Sequence, residues 1–242
     1  MTAKTLTERH DLVAVVAHNP GAQGTVWRSS LTIVNPQTSG PQTLRIEYRP
    51  VNAGQARVET MDIQPGEQKR WEDVLVEVFG YVSSASTKGA LHVFSSSGVI
   101  VDSRTYNQRL DSGTLGQNVP ALRAGDMIDS GSWGTIIGLE HNSATRTNIG
   151  FTEFTGQDTQ VRLLFKTTDE DSIPLGPPII ETVQAYQHLQ ILEVFNEQLH
   201  LGDDEWQGIK AEISVLSGGS VYAYASAVDN TSGDATTFVA VK

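Results

Sequence analysis

His18 and His141, each followed by an Asn, are the best candidates for titratable chemistry in this chain, because imidazole is the side chain whose ordinary pKa lies near neutrality. They occupy equivalent positions in a long internal repeat, and a group required twice is expected to hold structure rather than to catalyse. A His that ends a strand caps a loop or hydrogen-bonds the backbone. Asp102, Arg104 and Tyr106 alternate along one segment, so their side chains share a face and could form a polar site. The aligned residues of the second copy are Tyr224, Ser226 and Val228, so such a site would belong to the first copy alone. The plainer expectation is an Asp–Arg pair on a solvated sheet face, worth about 0 to 1 kcal/mol.

Trp27 and Trp133 lie beside Gly and Ser in or near predicted loops, where a flat indole could stack on a pyranose ring as in carbohydrate-binding modules. Trp71 and Trp206 flank helical segments and read as core or lid residues. The acidic runs Asp169-Glu170-Asp171 and Asp203-Asp204-Glu205 supply carboxylates but not the spaced ligand pattern of a calcium loop, so both are expected to be solvated. The chain has no Cys, which removes disulfides, thiolate catalysis and Cys-based zinc sites together. No HExxH, no GxSxG elbow and no phosphate-binding Gly loop occurs, and no cofactor or metal is expected. If a cleft forms between the two copies, Asp102, Arg104 and His141 are the residues expected to serve it.

The elements that must position these residues repeat. Val15-Val16-Ala17-His18-Asn19 returns as Gly138-Leu139-Glu140-His141-Asn142, Arg28 to Ile33 as Arg146 to Phe151, Val74-Leu75 as Val194-Phe195, and Val93 to Val99 as Val215 to Val221. A period of roughly 120 residues is that of a domain rather than of a solenoid or propeller unit. The expected architecture is all-β: two tandem antiparallel β-sandwich domains over 1–122 and 123–242, each with a short helix at one end.

Strand signals fall at Leu12 to Val16, Ser30 to Val34, Thr43 to Tyr48, Leu91 to Phe94 and Val99 to Tyr106, each short, β-rich and bounded by Gly, Pro, Asn or Ser. Alternation in Leu44-Arg45-Ile46-Glu47-Tyr48 places Leu44, Ile46 and Tyr48 on the buried face and Arg45 and Glu47 in water. Asn35 to Pro41 reads as a hairpin loop, and Gln64-Pro65-Gly66-Glu67 as a type II turn. Trp71 to Gly80 and Ile191 to His200 break the β pattern, with Val74, Leu75 and Val78 on one side of the first and Val194, Phe195 and Leu199 on one side of the second. Each is expected to form about two helical turns.

A formal charge of −11 repels phosphate backbones and no cluster of Lys and Arg offsets it, so nucleic acid is an unexpected partner. No stretch approaches the ~18 uninterrupted apolar residues of a membrane helix. Met1 to His10 is polar and carries no apolar signal core, which leaves a cytosolic protein or one whose signal has been removed.

The succession of Val15-Val16-Ala17-His18, a Pro-Gly loop, Trp27 to Pro36, Pro65-Gly66, Val74-Leu75 and Ser103-Arg104-Thr105-Tyr106-Asn107 resembles a tandem immunoglobulin-like β-sandwich module of bacterial secreted and surface proteins. The second member of such pairs ends in a segment like Tyr224 to Asp234. The resemblance covers nearly the whole chain and implies no catalytic residues. A fainter similarity, over one copy, is to the sensory rhodopsin transducer family, small β-sandwiches that oligomerise.

These observations together predict a non-enzymatic structural or interaction module of a bacterial extracellular or cell-surface protein, with a protein or glycan as partner and homo-oligomers allowed. Two alternatives remain: a carbohydrate-binding module using Trp27 and Trp133, and a cytoplasmic signalling adaptor that oligomerises through its sheets.

Overall fold

The computed structural model describes residues 8–21, 24–51, 55–108, 113–202 and 204–242. Asp203, the first residue of the second acidic run, lies outside them. The chain is mostly β, with antiparallel sheets and no barrel, and it divides between Gly125 and Asp126 into two compact units. No helix among the described residues is long and apolar enough to cross a membrane.

The first unit contains β1 (Arg9–Pro20), β2 (Val26–Val34), β3 (Gln42–Pro50), β4 (Arg57–Ile63), β5 (Gln68–Trp71), α1 (Val74–Glu77), β6 (Thr87–Ser95), β7 (Ile100–Gln108) and β8 (Thr114–Asn118). The order across its strands is β4-β3-β6-β1-β2-β7-β8, with β5 also on β2. β1 joins two sheets: its body pairs with β6 from Arg9 to His18, and its last residues, Asn19 and Pro20, pair with Trp27 and Val26 of β2. One buried cluster takes Val13, Leu44, Ile46, Tyr48, Leu91 and Val93 from one sheet and Leu31 and Ile33 from the other. Removing each such side chain from water contributes about 1.5–3 kcal/mol.

In the second unit β9 (Ile128–Asp129), β10 (Trp133–His141), β11 (Thr145–Glu153), β12 (Thr159–Thr167), β13 (Ile179–Val183), β14 (His188–Ile191), α2 (Val194–Glu197), β15 (Trp206–Ser217), β16 (Ser220–Asp229) and β17 (Ala235–Val239) follow. They form the sheets β10-β15-β12-β13 and β14-β11-β16-β17, with β9 on β16. The pairings of the first unit recur here: β10·β15 stands for β1·β6, β12 with β13 and β15 for β3 with β4 and β6, and β11 with β14 and β16 for β2 with β5 and β7. Ile136, Leu163, Phe165 and Ile213 from one sheet share a core cluster with Ile149, Phe151, Val221 and Ala223 from the other, an arrangement consistent with a sandwich.

Three local expectations need correction. The helices are one turn each rather than two. After Glu77 the chain folds back at once: Val78 N–H donates to Val74 O, and Gly80, at φ 67°, lets its own N–H reach Val76 O and Tyr81 N–H reach Leu75 O, a closure that favours glycine. Asn35 to Pro41 is not a hairpin loop, since β2 pairs with β5 and β7 while β3 pairs with β4 and β6. Glu47 is buried rather than in water, because Arg45 and Arg49 on its own strand both reach its carboxylate, Arg49 Nη2 at 2.5 Å. An alternation rule assigns faces but does not foresee that two flanking guanidinium groups make burial of a carboxylate tolerable.

Candidate functional site

The equivalent histidines sit at the same end of each unit, where β1 and β10 finish beside the one-turn helices. His18 is buried, with its Nδ1 2.6 Å from Asp73 Oδ2 and its Nε2 3.1 Å from Ser83 O. Asp73 is the N-cap of α1, accepting from Val76 N–H at 3.4 Å, and Arg28 Nε stands 3.8 Å from the same carboxylate. The ring thus fastens the helix start to the loop after it. His141 is also buried and its Nε2 lies 2.9 Å from Gly202 O, the corresponding loop in the second unit. Its ring packs against Phe195 at 5.5 Å.

Where Asp73 caps α1, Glu193 stands before α2 with φ 43° and makes no side-chain cap. Its N–H donates instead to Asn148 Oδ1 at 3.0 Å. Among the described residues the second His therefore has no carboxylate partner like that of the first. A small polar pocket of about 110 Å³ opens there, lined by His141, Arg146, Glu193, Asn196 and Asp204 among others. Arg146 is already engaged through Nη1 with Asn230 Oδ1 at 2.8 Å.

His18→Ala is expected to lower the unfolding free energy by about 2 kcal/mol, since it leaves a buried carboxylate and a carbonyl without their shared partner. His141→Ala, which releases one carbonyl, should cost about 1 kcal/mol. Urea denaturation of the two variants checks the order.

Asp102 and Arg104 stand on β7 of the first unit. Arg104 donates from Nη2 to Thr114 Oγ1 at 3.0 Å and lies 5.1 Å from the Tyr106 ring centroid. The expected Asp102–Arg104 pair is replaced by these contacts among the described residues. Tyr106 is buried and donates its hydroxyl to Glu72 O at 3.1 Å; burial raises its pKa. The strand is thus tied to its neighbours rather than presented as a polar cluster.

Trp27 is half-buried near the start of β2, paired with Asn107 of β7. Trp133 differs: it opens β10 and is 63% exposed. Trp71 and Trp206 pack against the two cores, as their helix-flanking positions suggest. Asp169, Glu170 and Asp171 are exposed, and Asp169 Oδ1 accepts from Thr167 Oγ1 and Ser172 N–H to close its own turn.

One face of β10-β15-β12-β13 carries Trp133. Trp133 pairs with Ser214, Ser214 with Arg162, and Arg162 with Ile180, so the four side chains form one row across the sheet. The next rows contain Thr135, Glu212 and Leu164, then Lys210 and Lys166. Glu212 receives Lys166 Nζ at 2.8 Å and Lys210 Nζ at 3.6 Å, and the hydrogen bond from Lys166 leads in holding its carboxyl below the usual range. A bulge follows Ile136, with Gly138 at φ 80°, and leaves Ile137 64% exposed. Pairing register, which sequence spacing does not supply, decides that Arg162 stands between Ser214 and Ile180.

No protein-family model, no curated protein and no solved structure matches the chain.

Proposed function

We propose that the chain is a non-enzymatic structural or interaction module of a bacterial extracellular or cell-surface protein, composed of two sandwich copies of one unit. The observation that carries this reading is the engagement of His18. The side chain best suited to proton transfer spans Asp73 and the Ser83 carbonyl and so acts as a fastener between a helix cap and a loop. A general base needs a nitrogen within reach of a substrate proton, and both nitrogens of this ring already face protein acceptors. The resemblance to tandem modules of secreted and surface proteins supports the same reading. Function then falls to surfaces, where a rigid β scaffold presents contact residues.

Fractionation of native cells tests it, with protease treatment of intact cells followed by immunoblotting. The expected result is protein in the medium or in a protease-sensitive surface fraction. Protein confined to the cytosol and protected from protease would overturn the surface assignment in favour of a cytoplasmic adaptor.

A further inference from the structure

We infer that the open face of β10-β15-β12-β13 in the second unit binds an acidic oligosaccharide, with Trp133 stacking on a sugar ring and Arg162 pairing with a uronate carboxylate. The inference names the partner of the interaction module proposed above and rests on that reading. Trp133 is 63% exposed, Ile180 53% and Leu216 45%, and the first two end the row that contains Ser214 and Arg162. Three strand spacings separate the ends of that row, about 14 Å, which suits a short chain of sugar rings lying across the strands.

Charge selects the occupant. The outward positions of this face hold Arg162, Lys166 and Lys210 against Glu212 and, past the bulge, Glu140, a local excess of one cation in a chain whose formal charge is −11. Glu212 engages both lysines, while Arg162 makes no ion pair among the described residues. At physiological ionic strength the Debye length is about 8 Å, so a bound carboxylate senses chiefly the charges of this face. A guanidinium offers a planar fork that matches a carboxylate.

The backbone decides between sugar and peptide. β15 and β12 are paired on both sides, so the middle of this face has no unpaired backbone groups on which a peptide strand could be added. What it presents is a flat indole, a cation and the hydroxyls of Ser214 and Thr135, which is the chemistry of a glycan platform.

Titration calorimetry at 150 mM salt, on the whole chain, with trimers of galacturonate, glucuronate and guluronate and with neutral cellotriose and maltotriose, tests the inference. The expected result is binding of at least one acidic trimer that weakens about tenfold or more in Trp133→Ala and about fivefold in Arg162→Gln. Both residues are at the surface, and circular dichroism checks that each variant folds. Cellotriose and maltotriose should bind more weakly than the acidic trimer, and tighter binding of a neutral trimer would overturn the charge selection.

Failure of every acidic trimer to bind, or binding indifferent to Trp133→Ala, overturns the inference. So does tighter binding of oligoglutamate than of the uronates, or a dimer seen by light scattering that Trp133→Ala dissolves; these would assign the face to an acidic protein or to a second copy. Sugar cleavage would be a different failure: it would sink the non-enzymatic reading and leave the binding face standing.

Discussion

Glu153→Ala should lower the unfolding free energy by about 3–5 kcal/mol. Glu153 is fully buried at the end of β11. Its Oε1 accepts from Thr155 N–H at 2.7 Å and from the Thr155 hydroxyl, and its Oε2 accepts from Gly156 N–H at 2.7 Å and Tyr186 N–H at 2.9 Å. One carboxylate thus ties the β11–β12 loop to the β13–β14 turn. Truncation leaves three backbone donors without partners, each costing about 1 kcal/mol or more, and removes charge-assisted bonds that are roughly twice as strong as neutral ones. Glu153→Gln keeps one oxygen but points an amide donor at N–H groups, so about half the loss should return. Urea denaturation measures both, and amide exchange at Thr155, Gly156 and Tyr186 should quicken. A Glu153→Ala protein within 1 kcal/mol of the parent would refute this account.

The first unit has a counterpart at the equivalent position that no carboxylate pattern would reveal. Asn35 is fully buried; its Nδ2 donates to Ile63 O at 3.2 Å and its Oδ1 accepts from Gln37 N–H at 3.0 Å and Gln42 Nε2 at 2.9 Å. The backbone contacts also correspond: Asn35 N–H donates to Glu67 O, and Glu153 N–H to Gln187 O. Gln42 Oε1 accepts Ser97 N–H, and Thr159 Oγ1 accepts Gly219 N–H. Two different side chains, an amide and an acid, therefore perform one loop-fastening task.

That difference explains what the sequence made legible. Apolar positions such as Leu44, Ile46 and Tyr48 are read from alternation because burial of carbon is additive and local. The roles of Asn35 and Glu153 are not local: the Ile63 carbonyl that accepts from Asn35 lies 28 residues away and the Tyr186 N–H that donates to Glu153 lies 33 away, both set by register and loop path. His18 and His141 were visible through recurrence, and their loop contacts agree with the fastening role read from position. Trp133 was singled out as a loop residue, yet it opens β10; its exposure follows from strand parity rather than from loop placement. Asp102 and Arg104 shared a face as alternation requires, but the neighbouring strand offered Thr114 to Arg104, a partner that spacing along one strand cannot show.

Stability should fall as the pH drops from about 6.5 to about 4, by about 3 kcal/mol from one residue, His10. Its ring is largely buried, stacked 4.4 Å from the Phe94 centroid, with Nε2 2.8 Å from His92 Nδ1. Burial, and after it the Arg45 guanidinium, pushes its pKa down to about 4; Arg45 lies 3.9 Å over the same Phe94 ring and is itself paired with Glu8 at 2.9 Å. The direction follows from proton counting. Above pH 6.5 both folded and unfolded chains keep this imidazole neutral, so it contributes no pH dependence. Between 6.5 and 4 the unfolded chain takes up a proton that the folded chain refuses, and folding weakens progressively. Below 4 both forms are protonated and the loss levels off. Carboxylates titrate in the lower part of this window, so the measurement is the difference between the parent and His10→Gln in urea denaturation at pH 7.5, 5.5 and 4.5. The variant should be less stable than the parent at pH 7.5, where it loses the ring packing, and the gap should close as the pH falls. Parallel pH profiles for the two proteins would show that the ring accepts its proton in the folded state as readily as in water.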